Sequence, residues 1–177
     1  MRIFFNNMLA KIGRFFAKAA AAFGGGAINA TTELEVKHIR NGKVIGTQTI
    51  LDKVITTAFV NDIVDVLQGI AGPLGTINAY KYHASGTGIV AEAVGDVALG
   101  TEVGARAVGS QEEGATANIY KSVGTITYTG SFAITEHGLL NAAAAGTLMD
   151  RTKFAAVNTI AGDSIQFTFT IQFNAGG

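Results

Sequence analysis

The stretch Lys81–Ala91 reads KYHASGTGIVA, and the GTGIVA within it fits the G-x-G-x-x-G/A spacing of a phosphate-binding turn. That chemistry needs a strand, a glycine turn and then a helix whose first amides meet a pyrophosphate. A strand over Ala79–His83 is available. The required helix is not, because Glu92–Gly100 reads EAVGDVALG and its glycines interrupt it. No second parallel strand ending in a ribose-binding acid follows, and G-x-x-x-x-G-K-[ST] occurs nowhere. The match is therefore read as a strand running into a glycine turn that launches a long loop, and no cofactor is expected.

The three histidines are His38, His83 and His137, and none has a second His or a Cys at metal-ligand spacing. Glu136 and His137 are neighbours on a predicted strand, so they point to opposite faces and do not share a ligand. His83 and His137 could meet across strands. The simpler role for His83 is a hydrogen bond at a strand end, beside a loop. Among the carboxylates, Glu112–Glu113 sits in a Gly/Ala-rich loop and reads as solvated. Asp150–Arg151 reads as a strand-edge ion pair, with Glu136 or Lys153 as partners. No G-x-S-x-G is present, and Ser85 lacks the setting of a catalytic triad. No catalytic, cofactor or metal residues are assigned, and a non-enzymatic chain is expected.

Composition narrows the partners. Hydrophobic residues make up 48% of 177 and charged residues 15%. A core can be buried, but the surface is poor in charge, as suits a chain covered by partners. Thirteen basic residues balance thirteen acidic ones, so nucleic acid is not a favoured partner. There is no cysteine, which removes disulfides and thiolate chemistry. No apolar run reaches the ~18 residues of a membrane span.

Residues 1–23 hold four of the basic residues, Arg2, Lys11, Arg14 and Lys18, and no acid. Phe5, Met8, Leu9, Ile12, Phe15, Phe16 and Phe23 recur near helical spacing, opposite a polar stripe of Asn7, Lys11, Arg14 and Lys18. The pattern predicts an amphipathic basic helix, with residues 24–30 as a Gly-rich linker and 31–177 as a β-rich body. Three uses stay open for the helix: a cleaved signal peptide, a membrane-surface helix, or a tether. The tether is the preferred reading, with the Phe-rich stripe docking on a partner protein or a neighbouring copy.

The body reads mainly as strands. Asn41–Gly42 between two strand-like runs predicts a two-residue hairpin. Thr56–Gly69 predicts a short helix capped by a Thr, with Phe59, Ile63, Val66 and Leu67 on one face. Further strands are expected over 77–83, 119–129, 132–140 and 147–157, with a long ordered loop over 84–117 holding at most one short strand. In the last strand Ile165, Phe167, Phe169, Ile171 and Phe173 alternate with Gln166, Thr168, Thr170 and Gln172. The expected fold is an antiparallel β-sandwich with Phe132, Ile134, Leu148, Phe154, Ile165, Phe167, Phe169 and Ile171 as its core.

Three segments in this order resemble a family of tailed-bacteriophage virion proteins. They are YKYHASGTG (80–88) with DVAL (96–99), ANIYKSVGT (117–125) with FAITEHGLL (132–140), and GTLMDRTKF (146–154) with AGDSIQF (161–167). The family comprises capsid-associated auxiliary or decoration proteins. The ITEHGLL…GTLMDR order is also similar to base domains of tail and collar fibres. The resemblance spans residues 56–174 and implies a virion location and a structural role. On that basis the chain is expected to be a homo-oligomeric capsid cement subunit, bridging neighbouring capsomers and bound to the major capsid protein or other virion proteins. The alternatives are a tail, collar or fibre-anchor protein, or a host- or glycan-binding adhesin that uses the loop 84–117.

Overall fold

The computed structural model describes residues 28–67 and 79–175. The tether stripe from Phe5 to Phe23 lies outside those residues, as does most of the linker. The chain divides into two compact units. Thr31–Gln172 is described here. The other unit holds residues 1–30 and 173–177, of which only 28–30 and 173–175 are among the described residues. None of the described helices is long and apolar enough to cross a membrane.

Ten strands and one helix make up the described chain. In order they are β1 (Ile28–Arg40), β2 (Lys43–Leu51), β3 (Val54–Ile55), α1 (Thr57–Leu67), β4 (Tyr82–Gly86), β5 (Glu102–Val108), β6 (Glu112–Glu113), β7 (Ile119–Thr127), β8 (Phe132–Leu140), β9 (Leu148–Thr159) and β10 (Ser164–Ala175). They form two five-stranded antiparallel sheets, ordered β2-β1-β10-β7-β6 and β3-β9-β8-β4-β5.

The β1–β2 turn is the expected hairpin: Asn41 and Gly42 have φ of 50° and 72°, the positive values that a primed turn demands. In α1, Thr56 is the N-cap, its Oγ1 accepting from the Phe59 amide at 3.3 Å. Phe59 is buried there, but Val66 is exposed. The expected apolar stripe is therefore corrected at Val66. Strand β4 is displaced from the expected 77–83 toward Gly86, and the 84–117 segment contains two strands, β5 and β6, rather than one.

Period-2 alternation places the core. Ile165, Phe167, Phe169 and Ile171 of β10 are almost completely buried, together with Ile134 of the other sheet; Leu148 is buried as well, but on the far face of its sheet, beside Leu99. Phe154 is buried too, with its ring centroid 6.2 Å from that of Phe167. Phe132 is only half-buried, the one member of the expected core that is.

Candidate functional site: a braced apolar loop over a buried polar layer

The strands β4, β8 and β9 carry chemistry on both faces. Cross-strand pairing aligns Ser85 with His137 and His137 with Thr152, and likewise His83 with Leu139 and Leu139 with Asp150. Residues paired this way share a face. His83, Ser85, His137, Asp150 and Thr152 therefore point together toward the other sheet. Glu136, Gly138 and Arg151, one residue out of step, point the opposite way.

On the inner face His83 and His137 do meet, Nδ1 to Nε2 at 2.9 Å, and the other ring nitrogen of His83 lies 2.8 Å from Ser122 Oγ of β7. His83 is the second residue of β4, near the strand end as expected, but it is fully buried and bonds residues of other strands rather than a loop. His137 also lies 4.6 Å, centroid to centroid, from Phe167. Burial lowers the His83 pKa to about 4. Burial, and then proximity to His83, holds His137 well below its ordinary value. Both rings are neutral at neutral pH. Tyr128 adds a hydroxyl bond to Ser85 Oγ at 2.9 Å.

The Ser122–His83–His137 chain has the spacing of a nucleophile, a base and an orienting group. All three side chains are wholly buried. A Cβ added at Gly124 would stand 2.5 Å from His83 Cδ2, so backbone already lies against the ring. A substrate carbonyl has no route to Ser122 Oγ while the sheets stay together. Asp150, expected beside Arg151 in an edge ion pair, is instead buried on this inner face, and its Oδ1 accepts from Thr152 Oγ1 at 2.9 Å. Asp150 Oδ2 and His137 Nδ1 have no hydrogen-bond partner. Burial raises the Asp150 pKa to about 7.

On the outer face, Glu136 and Arg151 hold down the segment 87–101. The Glu136 carboxylate accepts from the amides of Gly88 (2.9 Å), Gly100 (3.1 Å) and Thr101 (2.8 Å), and from Arg151 Nε at 2.8 Å. Burial works to raise its pKa, but these donors prevail and hold it below the usual carboxylate value. Arg151 reaches onward to Asp96 Oδ2 at 2.8 Å and to the Val90 carbonyl at 3.1 Å. The Arg151–Glu136 pair expected from sequence is therefore present, but it is buried under a loop rather than lying at a strand edge.

The glycine fingerprint now has a physical role. One of its amides, that of Gly88, does meet an anion, and the anion is the chain's own Glu136. A Cβ at Gly88 would come 2.3 Å from Glu136 Oε1, so glycine is required for that approach.

More braces fix the same loop. Thr135 Oγ1 donates to the Gly88 carbonyl at 2.8 Å, Lys153 Nζ donates to the Ile89 carbonyl, and Lys53 pairs with Glu92 at 2.9 Å. The Asp96 carboxylate accepts from the Ala93 amide at 2.9 Å. Leu99 plugs into an apolar cluster with Ala84, Leu140 and Leu148.

The outside of this braced loop is aliphatic. Ile89, Val90, Val94 and Val97 are 78%, 71%, 62% and 73% exposed. The surface continues onto α1, where the Thr57 amide bonds the Val94 carbonyl at 2.8 Å and Val60 and Val64 follow on the same exposed stripe. The neighbouring charges Glu92, Asp96, Lys53, Arg151 and Lys153 all turn toward the brace. What remains outward is an aliphatic surface with little charge.

Other candidate residues are structural in their contacts. Arg40 grips Asp163 through two bonds of 2.8 and 2.7 Å, and His38 Nε2 lies 2.8 Å from the same carboxylate. These bonds pin the end of β1 to the turn before β10. Glu112 pairs with Lys121 at 2.8 Å, and it and Glu113 are exposed. Among the described residues no group of three or more His, Cys, Asp or Glu side chains could hold a metal ion.

Ser122, Asp96 and the amides of Gly100 and Thr101 were not reachable by spacing alone, because they join the network through side-chain contacts between segments far apart in sequence. The visible signal was the run of aliphatic residues in a glycine-rich loop. No protein-family model, no curated protein and no solved structure matches this chain.

Proposed function

We propose that the chain is a non-enzymatic structural subunit of a tailed-phage virion, most specifically a capsid cement protein that bridges neighbouring capsomers. We further propose that its two sheets form a β-sandwich, since His83, His137 and Phe154 of one reach Ser122 and Phe167 of the other. The observation that carries the function is the braced loop. Four large aliphatic side chains are held outward by a buried Glu136–Arg151 anchor rather than folded into the core. Holding them in one geometry lowers the ordering cost of association. A cement subunit gains from this, because several modest apolar contacts made at once become persistent.

The sequence resemblance supplies the virion, and the low surface charge is consistent with burial among neighbours. Purified shells of the phage that carries this chain, stripped of it, give the test. Adding the protein back is expected to raise the shells' melting temperature. An unchanged melting temperature at saturating protein contradicts the cement role. Binding of the free protein to host cells instead would favour an adhesin.

A further inference from the structure

The inner face of β4, β8 and β9 holds two neighbouring rows of side chains. His83, Leu139 and Asp150 form one, and Ser85, His137 and Thr152 form the next. His83 and Asp150 therefore flank Leu139, and His137 lies diagonal to both. His137 and Asp150 are fully buried. Among the described residues, His137 Nδ1 and Asp150 Oδ2 are buried polar atoms without a hydrogen-bond partner. Leaving such atoms unpaired is costly, and a bound water is the common remedy.

Two contacts aim these atoms at one place. Thr152 Oγ1 donates to Asp150 Oδ1 at 2.9 Å, which leans the carboxyl along β9 toward the row of His137. In an imidazole, Nδ1 and Nε2 lie on opposite sides of the line running from Cγ through the ring. Nε2 of His137 is turned to His83 on the β4 side, at 2.9 Å, so Nδ1 is left facing the β9 side. Diagonal neighbours on one face of a sheet stand ~7–8 Å apart. The two side chains make no direct bond, and the span suits one water bonded to both. Among the described residues no group of His, Cys, Asp or Glu side chains there could hold a metal ion instead.

We propose that one buried water bridges His137 Nδ1 and Asp150 Oδ2, completing a hydrogen-bond relay from Ser122 through both histidines to Asp150. Charge sets its direction. An ionised carboxylate only accepts, and in a low-dielectric layer it draws the ring proton to the nitrogen that faces it. His137 then carries Nδ1–H, and its bare Nε2 accepts from His83 Nδ1–H. The bare Nε2 of His83, 2.8 Å from Ser122 Oγ, accepts from that hydroxyl. Both rings are thus in the Nδ1–H form, fixed by the network around them. The relay ties β7 of one sheet to β4, β8 and β9 of the other, and it is independent of the virion reading.

A long-range proton–nitrogen spectrum of isotope-labelled full-length protein tests the direction. It is recorded at about pH 8, above the value of about 7 to which burial raises Asp150. Nδ1 of His83 and of His137 should read as protonated and Nε2 as bare. His38 gives the contrast, because its Nε2 meets the Asp163 carboxylate at 2.8 Å and must carry a proton. Nε2–H on His83 or His137 overturns the direction. High-resolution diffraction should show a water within hydrogen-bond distance of both His137 Nδ1 and Asp150 Oδ2. A direct bond between the two atoms, or no water there, overturns the bridge.

Asp150→Leu gives a further reading, since it removes the acceptor. The Ser122 hydroxyl also has the Tyr120 oxygen within hydrogen-bonding reach, so the relay is then free to reverse. Both ring protons should move to Nε2 together. Unchanged ring protons in the folded variant overturn the control by Asp150. Should the variant not fold, the spectrum and the diffraction from the original chain decide.

Discussion

Glu136 and Arg151 show how one charged pair decides the shape of a surface. Each is buried, and each is saturated with bonds to the loop 87–101. Removing one partner of such a pair leaves an uncompensated buried charge, at a cost of ~3–5 kcal/mol. Arg151→Met is expected to lower stability by that order in chemical unfolding, and to open the amides of Gly88 and Thr101 to hydrogen exchange. Asp150 makes a different prediction. In the folded chain His83 and His137 bind protons more weakly than when unfolded, so they cost stability as pH falls below the ordinary 6.5. Asp150 binds its proton more tightly, so its ionisation costs stability as pH rises from the ordinary 3.8 up to about 7. Between about pH 4 and 6.5 the two histidines outweigh the one aspartate, so stability should rise with pH there and level off near about pH 7. Asp150→Asn removes the opposing contribution and should steepen that rise, which unfolding midpoints of the two proteins across the range measure. An equal slope in the two proteins would show that Asp150 does not titrate there. Sequence placed Glu136 and His137 on opposite faces correctly, because period 2 decides that. The same period puts Asp150 inward with Phe154, but a carboxylate beside an arginine reads as an edge group, and the register with β8 that aligns it with Leu139 is not visible locally.

At the scale of elements, the hairpin and the last strand were plain in the residues. Asn41–Gly42 sets the turn, and the Phe/Ile alternation of β10 sets its buried face. The loop 87–101 was harder to read. Its sequence has no periodicity because its order comes from Glu136, Arg151, Thr135 and Lys153, all at least 34 residues further along the chain. Four exposed aliphatics on an anchored segment should tolerate charge without loss of fold. Ile89→Asp with Val97→Asp is expected to leave the unfolding midpoint within about 0.5 kcal/mol of the original, as for surface substitutions generally. A large destabilisation would mean that these side chains are part of the core after all.

The sequence joins a charge-poor, mildly acidic body to a basic head. Residues 1–23 lie outside the described residues, and their role as a tether is a proposal from sequence. Deleting them should leave the unfolding transition of the body intact while weakening its incorporation into shells; full incorporation of the truncated chain would end the tether idea. For the body, we propose that the braced loop is the contact that holds a neighbour. It is tested by co-sedimentation of full-length protein with stripped shells, comparing the original chain with Ile89→Asp/Val97→Asp. The original chain should pellet with the shells, and the variant, still folded, should remain in the supernatant. A variant that pellets as well as the original would contradict the loop's role, and an original chain that never pellets would contradict the cement function itself.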